Sequence, residues 1–180
     1  MRLFVAIALP EAPRAAVAGL MRTLPVGRWP EPETLHLTLA FLGEVAPARV
    51  EAVADALEAI RAAPVEIALG APATFDGADP RVVVLPPQDE APLVALNRKI
   101  RGALHAAGVT APRETYRPHV TIARLPVPLA SGDAARLAGW LGAQARLRIA
   151  PFTVSTMGLY RSHLRPEGAR HELMGEIDFG

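Results

Sequence analysis

The sequence predicts an α+β fold: a bilobal, duplicated arrangement in which two largely antiparallel sheets are flanked by helices and a cleft lies between the lobes. Three observations predict it. The chain has 180 residues and is 51% hydrophobic without cysteine, which suits one compact unit with a sizeable core. Strand-like segments follow one another without the regular strand-helix alternation of a parallel sheet. The same order of elements also occurs twice.

The first half contains four predicted strands and two predicted helices. In order they are a strand over residues 2–8, a helix over 13–24, a strand over 36–42, a helix over 47–63 and strands over 65–69 and 81–85. Residues 25–34 carry three prolines and a glycine, and we predict a loop there. Gly43 is expected to end the strand that precedes it.

The second half repeats this order with a helix, a strand, a helix and two strands. Apolar residues at helical spacing mark the first of these helices: Leu93, Leu96, Ile100 and Leu104. Gly108 is its expected C-cap. The later elements are predicted as a strand over residues 118–124, a helix over 133–144 and strands over 152–160 and 171–177.

One short motif, His-x-Thr-x with apolar residues at both x positions, begins a predicted strand in each half. The two copies are His36-Leu37-Thr38-Leu39 and His119-Val120-Thr121-Ile122, and they begin 83 residues apart. Because strand side chains alternate between faces, each His and its Thr point away from the apolar residues that enter the core. A pseudo-twofold relation between the halves predicts that both polar pairs line one cleft.

Two histidines at one phosphorus atom suit acid-base catalysis. One neutral imidazole takes a proton from attacking water while the other, charged, gives a proton to the departing oxygen. Threonine hydroxyls donate hydrogen bonds to the phosphate oxygens that do not react. The residues themselves do not say which of His36 and His119 is the acid. Arg124 is a further candidate, for a charge-assisted contact to phosphate or for stacking on a base.

Other classes of site are not supported by the sequence. No ligand-spaced cluster of His, Asp or Glu accompanies either motif, so we expect no metal and no other cofactor. His105, His163 and His171 are interpreted as structural residues. Aromatic residues make up only 5% of the chain, which argues against an extended stacking surface for single strands.

The charges are unevenly divided between the two halves. Residues 1–90 have a balance of −5 and residues 91–180 a balance of +6, so the second half has the sign that attracts an anionic ligand. No apolar run approaches the length of a spanning helix. We therefore expect no membrane contact. Because the chain has no cysteine, the cytoplasm is the expected compartment. We also expect a monomer and no protein partner.

Three segments together resemble the 2H phosphoesterase superfamily, and specifically the bacterial and archaeal RNA 2′,3′-cyclic phosphodiesterases once called 2′-5′ RNA ligases. They are Arg2-Leu-Phe-Val-Ala-Ile-Ala-Leu-Pro10, His36-Leu-Thr-Leu-Ala-Phe-Leu-Gly-Glu44 and Arg117-Pro-His-Val-Thr-Ile-Ala-Arg124. The resemblance covers essentially the whole chain and implies a single domain, residues 1–180, made of two pseudo-symmetric lobes. It also implies metal-independent opening of a terminal 2′,3′-cyclic phosphate to a 2′-phosphate, on RNA 3′ ends or small cyclic nucleotides.

The resemblance also implies roles for individual residues. His36 matches the proton donor to the departing 3′ oxygen, and His119 matches the acceptor that activates water. Thr38 and Thr121 match hydroxyls that hold the phosphate. Phe41 and Arg124 align with positions that contact the nucleotide in relatives. Two alternatives stay open: 2′-5′ RNA ligation in the reverse direction, and a non-catalytic nucleotide-binding module.

Overall fold

The computed structural model describes residues 1–75, 80–109, 111–112, 115–165 and 168–180. Within these ranges the chain forms nine strands and four α-helices. In chain order they are β1 (Arg2–Ala8), α1 (Glu11–Met21), β2 (His36–Glu44), α2 (Val50–Glu58), β3 (Val65–Leu69), β4 (Ala73–Thr74), β5 (Val82–Leu85), α3 (Ala91–Ala106), β6 (Val120–Arg124), α4 (Ser131–Ala143), β7 (Ile149–Val154), β8 (Thr156–Arg165) and β9 (Gly168–Asp178).

The strands form two antiparallel sheets. Seven of them lie in the order β4-β5-β6-β2-β1-β8-β9, and β3 pairs with β7 in a separate two-stranded sheet. The pairings between these strands are all antiparallel. The predicted α+β class with two antiparallel sheets is therefore confirmed. The larger sheet takes strands from both halves of the sequence, and strands of different halves pair at β5–β6, at β6–β2 and at β1–β8.

The helices cover the large sheet with the apolar stripes that the sequence predicts. Helix α3 buries the four predicted apolar residues together with Asn97, and it packs against β2 and α2. Helix α1 contacts β6 and β7. Gly108 follows α3 with φ of 72°, which confirms the predicted C-cap. None of the helices in the described ranges is both long and apolar enough to traverse a bilayer.

Two strand predictions are wrong at their boundaries. The single strand predicted over residues 152–160 is interrupted at Ser155, where β7 of the small sheet ends and β8 of the large sheet follows. The Ser155 carbonyl accepts a hydrogen bond from the Phe179 amide at 2.8 Å, so the chain is held at the point where it changes sheets. Gly43 does not end β2 either, because its φ of 69° lets the strand bulge and still pair with Leu3.

Two further elements differ from the sequence prediction. The helix predicted over residues 47–63 begins with a 3₁₀ turn, Pro47–Arg49, and its α-helical part is shorter, ending at Glu58. Strand β4 has only two residues, too few for the alternation from which a strand is predicted.

Candidate active site

The side chains of the two His-x-Thr motifs lie on one face of the large sheet. Strands β2 and β6 are in register at Leu37 and Val120, which are both buried. Because the strands are antiparallel, the next register position on one side pairs Thr38 with His119, and the next position on the other side pairs His36 with Thr121. All four side chains lie on the face opposite to the buried Leu37 and Val120. The two imidazoles then lie on a diagonal, with α-carbons roughly 7–8 Å apart.

Each of the two imidazoles is held by the same kind of hydrogen bond. The Nδ1–H of His36 donates to the carbonyl oxygen of Thr34 at 2.7 Å, and that of His119 donates to the carbonyl oxygen of Arg117 at 2.7 Å. Because a carbonyl oxygen only accepts, Nδ1 carries the proton in both rings. Nε2 is therefore the nitrogen of each ring that can take a proton when neutral or give one when charged.

A third histidine packs against His36. The rings of His171 and His36 meet edge to face with centroids 5.3 Å apart, and Phe4 contacts both rings at 5.3 Å from His36 and 4.8 Å from His171. His171 lies inside β9 rather than at a strand start. Its ring packs against Phe4 and His36, which is compatible with its interpretation as a structural residue.

The surroundings of His119 are different. The ring of Phe75 meets the imidazole edge to face at 4.9 Å. The guanidinium of Arg117 lies 3.8 Å from the centroid of the Phe75 ring, a cation-π contact. His119 is thus bounded by an aromatic ring with a cation stacked on it, whereas His36 is bounded by Phe4 and a second imidazole.

Burial is the main influence on the acidity of all three histidines. It lowers the pKa of His36, the charges of His119 and Arg124 act in the same direction, and the hydrogen bond to Thr34 opposes them. Burial likewise lowers the pKa of His119, with Arg117 adding a charge effect and its carbonyl opposing. The pKa of His171 falls to about 4, through burial and then through the charges of His36 and Arg124. Neutral imidazoles are therefore favoured in the free protein.

Matching bulges bring Phe41 and Arg124 to the face that carries the motifs. Phe41 lies five positions after His36, and Arg124 lies five positions after His119, so strict alternation would put them on the opposite face. In β2 the pairing with β1 skips Leu39, and in β6 the pairing with β5 skips Ile122. Each bulge shifts the alternation by one residue. Phe41 is consequently 50% exposed, and its ring lies 6.1 Å from that of Phe4.

Phe41 and Arg124 lie on opposite sides of the four motif side chains. Phe41 lies four register positions from His36 in one direction along the sheet. Because β6 runs opposite to β2, Arg124 lies two register positions from the level of His36 in the other direction. Their α-carbons are thus roughly 20 Å apart along the strands. Arg124 is near His36 and His171, whose pKa values it affects. One nucleobase does not span that distance.

The bulge in β2 is stabilised by two side chains that the sequence did not single out. Asn97, the one buried polar residue among those described, donates from Nδ2 to the carbonyl oxygen of Leu39 at 2.6 Å. The hydroxyl of Tyr116 donates to the carbonyl oxygen of Thr38 at 3.1 Å. Both bonds thus go to backbone carbonyls of β2 at or next to its bulge. The only sequence signal for this role is that Asn97 is a polar residue on the apolar stripe of α3.

The remaining two histidines lie away from this face, and the site has no set of metal ligands within the described residues. His105 is exposed on α3, and His163 pairs with Glu172 at 2.7 Å on the β8–β9 hairpin. In the described part of the chain no group of three or more His, Cys, Asp or Glu is placed to hold a metal ion.

The sequence profile of one family matches most of the chain. Residues 10–166 match the 2′-5′ RNA ligase superfamily, and this range includes both His-x-Thr motifs. The chain belongs to the 2′-5′ RNA ligase superfamily. The predicted resemblance is therefore confirmed.

Three curated relatives are 28% or 33% identical to this chain over the aligned residues. A relative from Geobacillus stearothermophilus is 33% identical over 128 residues, which cover 67% of this chain and 41% of the relative. Relatives from Methanothermobacter thermautotrophicus and Methanocaldococcus jannaschii are each 28% identical, and they match 93% and 98% of this chain and 93% and 99% of their own lengths. All three are named RNA 2′,3′-cyclic phosphodiesterase.

Solved structures of similar proteins show the same fold. A protein of Thermus thermophilus superposes with a TM-score of 0.79 at 24% identity, covering 99% of this chain and 98% of its own. LigT of E. coli in its apo form gives 0.77 at 24% identity, covering 98% and 96%. LigT complexed with 3′-AMP gives 0.72 at 24% identity, covering 99% and 96%. The superfamily fold thus extends over nearly the whole chain.

Proposed function

We propose that this protein is an RNA 2′,3′-cyclic phosphodiesterase that opens a terminal cyclic phosphate to a 2′-phosphomonoester by two-histidine acid-base catalysis, without a metal. The observation that carries the proposal is the placement of two imidazoles and two threonines around one register pair. The names of the curated relatives support the cyclic-phosphodiesterase activity. We propose that residues 1–180 form one domain of two pseudo-symmetric lobes that acts as a cytoplasmic monomer on RNA 3′ ends or small cyclic nucleotides.

In the proposed reaction one P–O bond forms and another breaks at a single phosphorus atom. Nε2 of neutral His119 takes a proton from water as the water oxygen attacks phosphorus. The bond from phosphorus to O3′ breaks, and charged His36 gives its Nε2 proton to O3′. The resemblance to the family supplies this division of roles. The matched hydrogen bonds at Nδ1 leave Nε2 available for proton transfer in both rings. They do not distinguish the acid from the base.

Three other side chains are proposed to bind the substrate. The hydroxyls of Thr38 and Thr121, which have no hydrogen-bond partner within the described ranges, donate to the non-bridging oxygens. Because O3′ remains on the ribose, the ribose and its base lie on the His36 side, where the guanidinium of Arg124 contacts them. Phe41 lies on the His119 side, from which water enters.

Product identification tests the proposal. An RNA that ends in a 2′,3′-cyclic phosphate is incubated with the protein in EDTA, and the new phosphomonoester is located. We expect a 2′-phosphate, formed equally well with and without the chelator, and no change in a control RNA that ends in a linear 3′-phosphate. A 3′-phosphate product would contradict the roles of the two histidines. Loss of turnover in EDTA would contradict the metal-free reaction, and binding without turnover would favour a nucleotide-binding module.

The lowered histidine pKa values predict an acid-shifted pH profile for kcat/KM. The acidic limb reports the base, which must be neutral, and the alkaline limb reports the acid, which must be protonated. Both pKa values lie below 6.5 in the free protein, so kcat/KM should already fall as pH rises through 6.5. The bound phosphate anion favours charged imidazoles, which should move the kcat profile to higher pH. An alkaline limb of kcat/KM above about pH 7 would contradict this prediction.

A further inference from the structure

The β8–β9 hairpin curves over the face of the large sheet that carries the two motifs. His171 pairs with Ser162, level with the first residue of β1, whereas His36 pairs with Ala8, the last residue of β1. In a flat sheet the α-carbons of the two histidines would therefore be roughly 20 Å apart along the strands, and they belong to strands three places apart in the sheet. Their ring centroids are nevertheless 5.3 Å apart. The ribbon is therefore coiled, as two-stranded ribbons readily are, and its coiling brings His171 to His36.

Each motif imidazole has one aromatic ring that stands edge to face against it, and the two partner rings differ in chemistry. His119 has the phenyl ring of Phe75, with centroids 4.9 Å apart and an interplanar angle of 90°. His36 has the imidazole of His171, at 5.3 Å and 85°. The contact at His119 shows that a phenyl ring is sufficient to pack beside a motif histidine. Packing alone therefore does not require a histidine at position 171.

The imidazole of His171 carries a penalty that a phenyl ring would not have. Its Nδ1 is buried without a hydrogen-bond partner, the only side-chain nitrogen or oxygen in this state among the described residues. A buried polar atom that makes no hydrogen bond is destabilising, whereas an apolar group of similar shape is not. Because a buried acceptor without a partner is tolerated more often than a buried N–H, we assign the proton to Nε2 and the lone pair to Nδ1.

The charged groups around these two rings come from two strands besides β9. Burial, and then the charges of His36 on β2 and Arg124 on β6, lower the pKa of His171 to about 4, so His171 is neutral near pH 7. His36 itself faces His119 and Arg124, both on or next to β6, which disfavour its charged form, while the carbonyl of Thr34 favours it. The lone pair of a neutral His171 lies among these cations as a partial negative charge.

We propose that His171 is a positioning residue that acts through His36: its ring packs edge to face as a phenyl ring would, and its bare Nδ1 favours the charged form of His36. The inference rests on the proposed function, in which charged His36 gives its proton to O3′. His119, the proposed base, has to be neutral, and it stands against Phe75, which has no such nitrogen. The difference between the two partner rings thus matches the difference between the two proposed roles.

Two substitutions at position 171 separate packing from electrostatics. His171→Phe keeps an edge-to-face ring and removes the nitrogens, so it should raise the melting temperature and lower the pKa of His36. The alkaline limb of kcat/KM should move down by about half a pH unit, which lowers kcat/KM above that limb about threefold. His171→Asn keeps a polar atom near the position of Nδ1 and removes the ring. It should melt at a lower temperature and keep the alkaline limb of the wild type.

The matched control is His163→Phe on the same hairpin. His163 is the neighbour of Ser162 in β8 and pairs with Arg170 rather than His171, so its side chain lies on the other face. This variant should leave the alkaline limb unchanged. If His171→Asn moves the limb as far as His171→Phe does, the ring rather than the nitrogen acts on His36 and the inference is wrong. A lower melting temperature for His171→Phe would show that Nδ1 is not an unsatisfied atom and would also overturn it.

An NMR titration of the Cε1–H resonance of His36 measures its pKa without turnover and separates this inference from the proposed function. A lower His36 pKa in His171→Phe, with no hydrolysis of an RNA 2′,3′-cyclic phosphate by wild-type protein, would support the positioning role and overturn the proposed function. Hydrolysis by wild-type protein, with an unchanged His36 pKa in folded His171→Phe, would overturn the positioning role and leave the proposed function in place. If His171→Phe does not fold, His171→Leu makes the same comparison.

Discussion

Replacing His36 or His119 by alanine is expected to lower kcat/KM for an RNA 2′,3′-cyclic phosphate by roughly 10³-fold or more. Each imidazole is proposed to transfer one proton in the same step, and a positioned acid or base contributes typically about 10²–10⁴-fold. The two residues act as a unit, so the double variant should be little slower than either single variant. Single-turnover rates with saturating protein would measure the chemical step without interference from product release.

The matched control for both histidine variants is His105→Ala. His105 is exposed on α3 and contributes nothing to the candidate site. It should retain wild-type turnover. A loss below tenfold in either His36→Ala or His119→Ala, or an equal loss in His105→Ala, would show that the two motifs do not carry the chemistry.

Replacing Thr38 or Thr121 by valine should lower kcat by about 10²-fold each. Valine keeps the β-branched shape that suits a strand, so the substitution removes little more than the hydroxyl. A donor aimed at developing charge is worth about 10²–10³-fold in kcat. The side chains are only half-buried, and the melting temperature should therefore change little.

Serine at the same two positions provides the positive control. Thr38→Ser and Thr121→Ser keep the hydroxyl and should recover most of the lost rate, whereas Thr153→Val on β7 should have no effect. If the valine variants turn over as fast as wild type, the threonines do not hold the phosphate. If the serine variants are as slow as the valine variants, the loss reflects packing rather than hydrogen bonding.

The part of the site that could be predicted from sequence is the part that follows strict alternation. His36 and Thr38 are two residues apart, as are His119 and Thr121, so a period of two places each pair on one face. The repeated order of elements then suggested that the pairs meet. The structure adds the register that joins them, at Leu37 and Val120, which depends on the pairing of strands distant in sequence.

The positions of Phe41 and Arg124 could not be predicted from the same alternation. Each follows a bulge of one residue, at Leu39 in one strand and Ile122 in the other. Both extra residues are apolar and buried and look like ordinary members of a strand. At the bulge in β2 the Leu39 carbonyl accepts a hydrogen bond from Asn97 of α3, 58 residues away, and no local sequence pattern predicts that contact.

His171 and the break at Ser155 also depend on contacts between distant segments. His171 reaches His36 only because β8 and β9 are added to the sheet beyond β1. Nothing near it in the sequence distinguishes it from His163, which pairs instead with Glu172. Residues 149–165 are suited to strand almost throughout, and the change of sheet at Ser155 is set by the tertiary pairing of Phe179.

The single register pair between β2 and β6 has a mechanical consequence. In the described chain the two strands share only Leu37 and Val120, and beyond that point β6 pairs its backbone with Arg28 instead. Each imidazole is thus attached to a different part of the large sheet, His119 to β4-β5-β6 and His36 to β2-β1-β8-β9, and the two parts share little main-chain hydrogen bonding. A short joint yields to small rotations more readily than a long ladder. Small rotations of one part of the sheet against the other would therefore change the distance between the two imidazole rings.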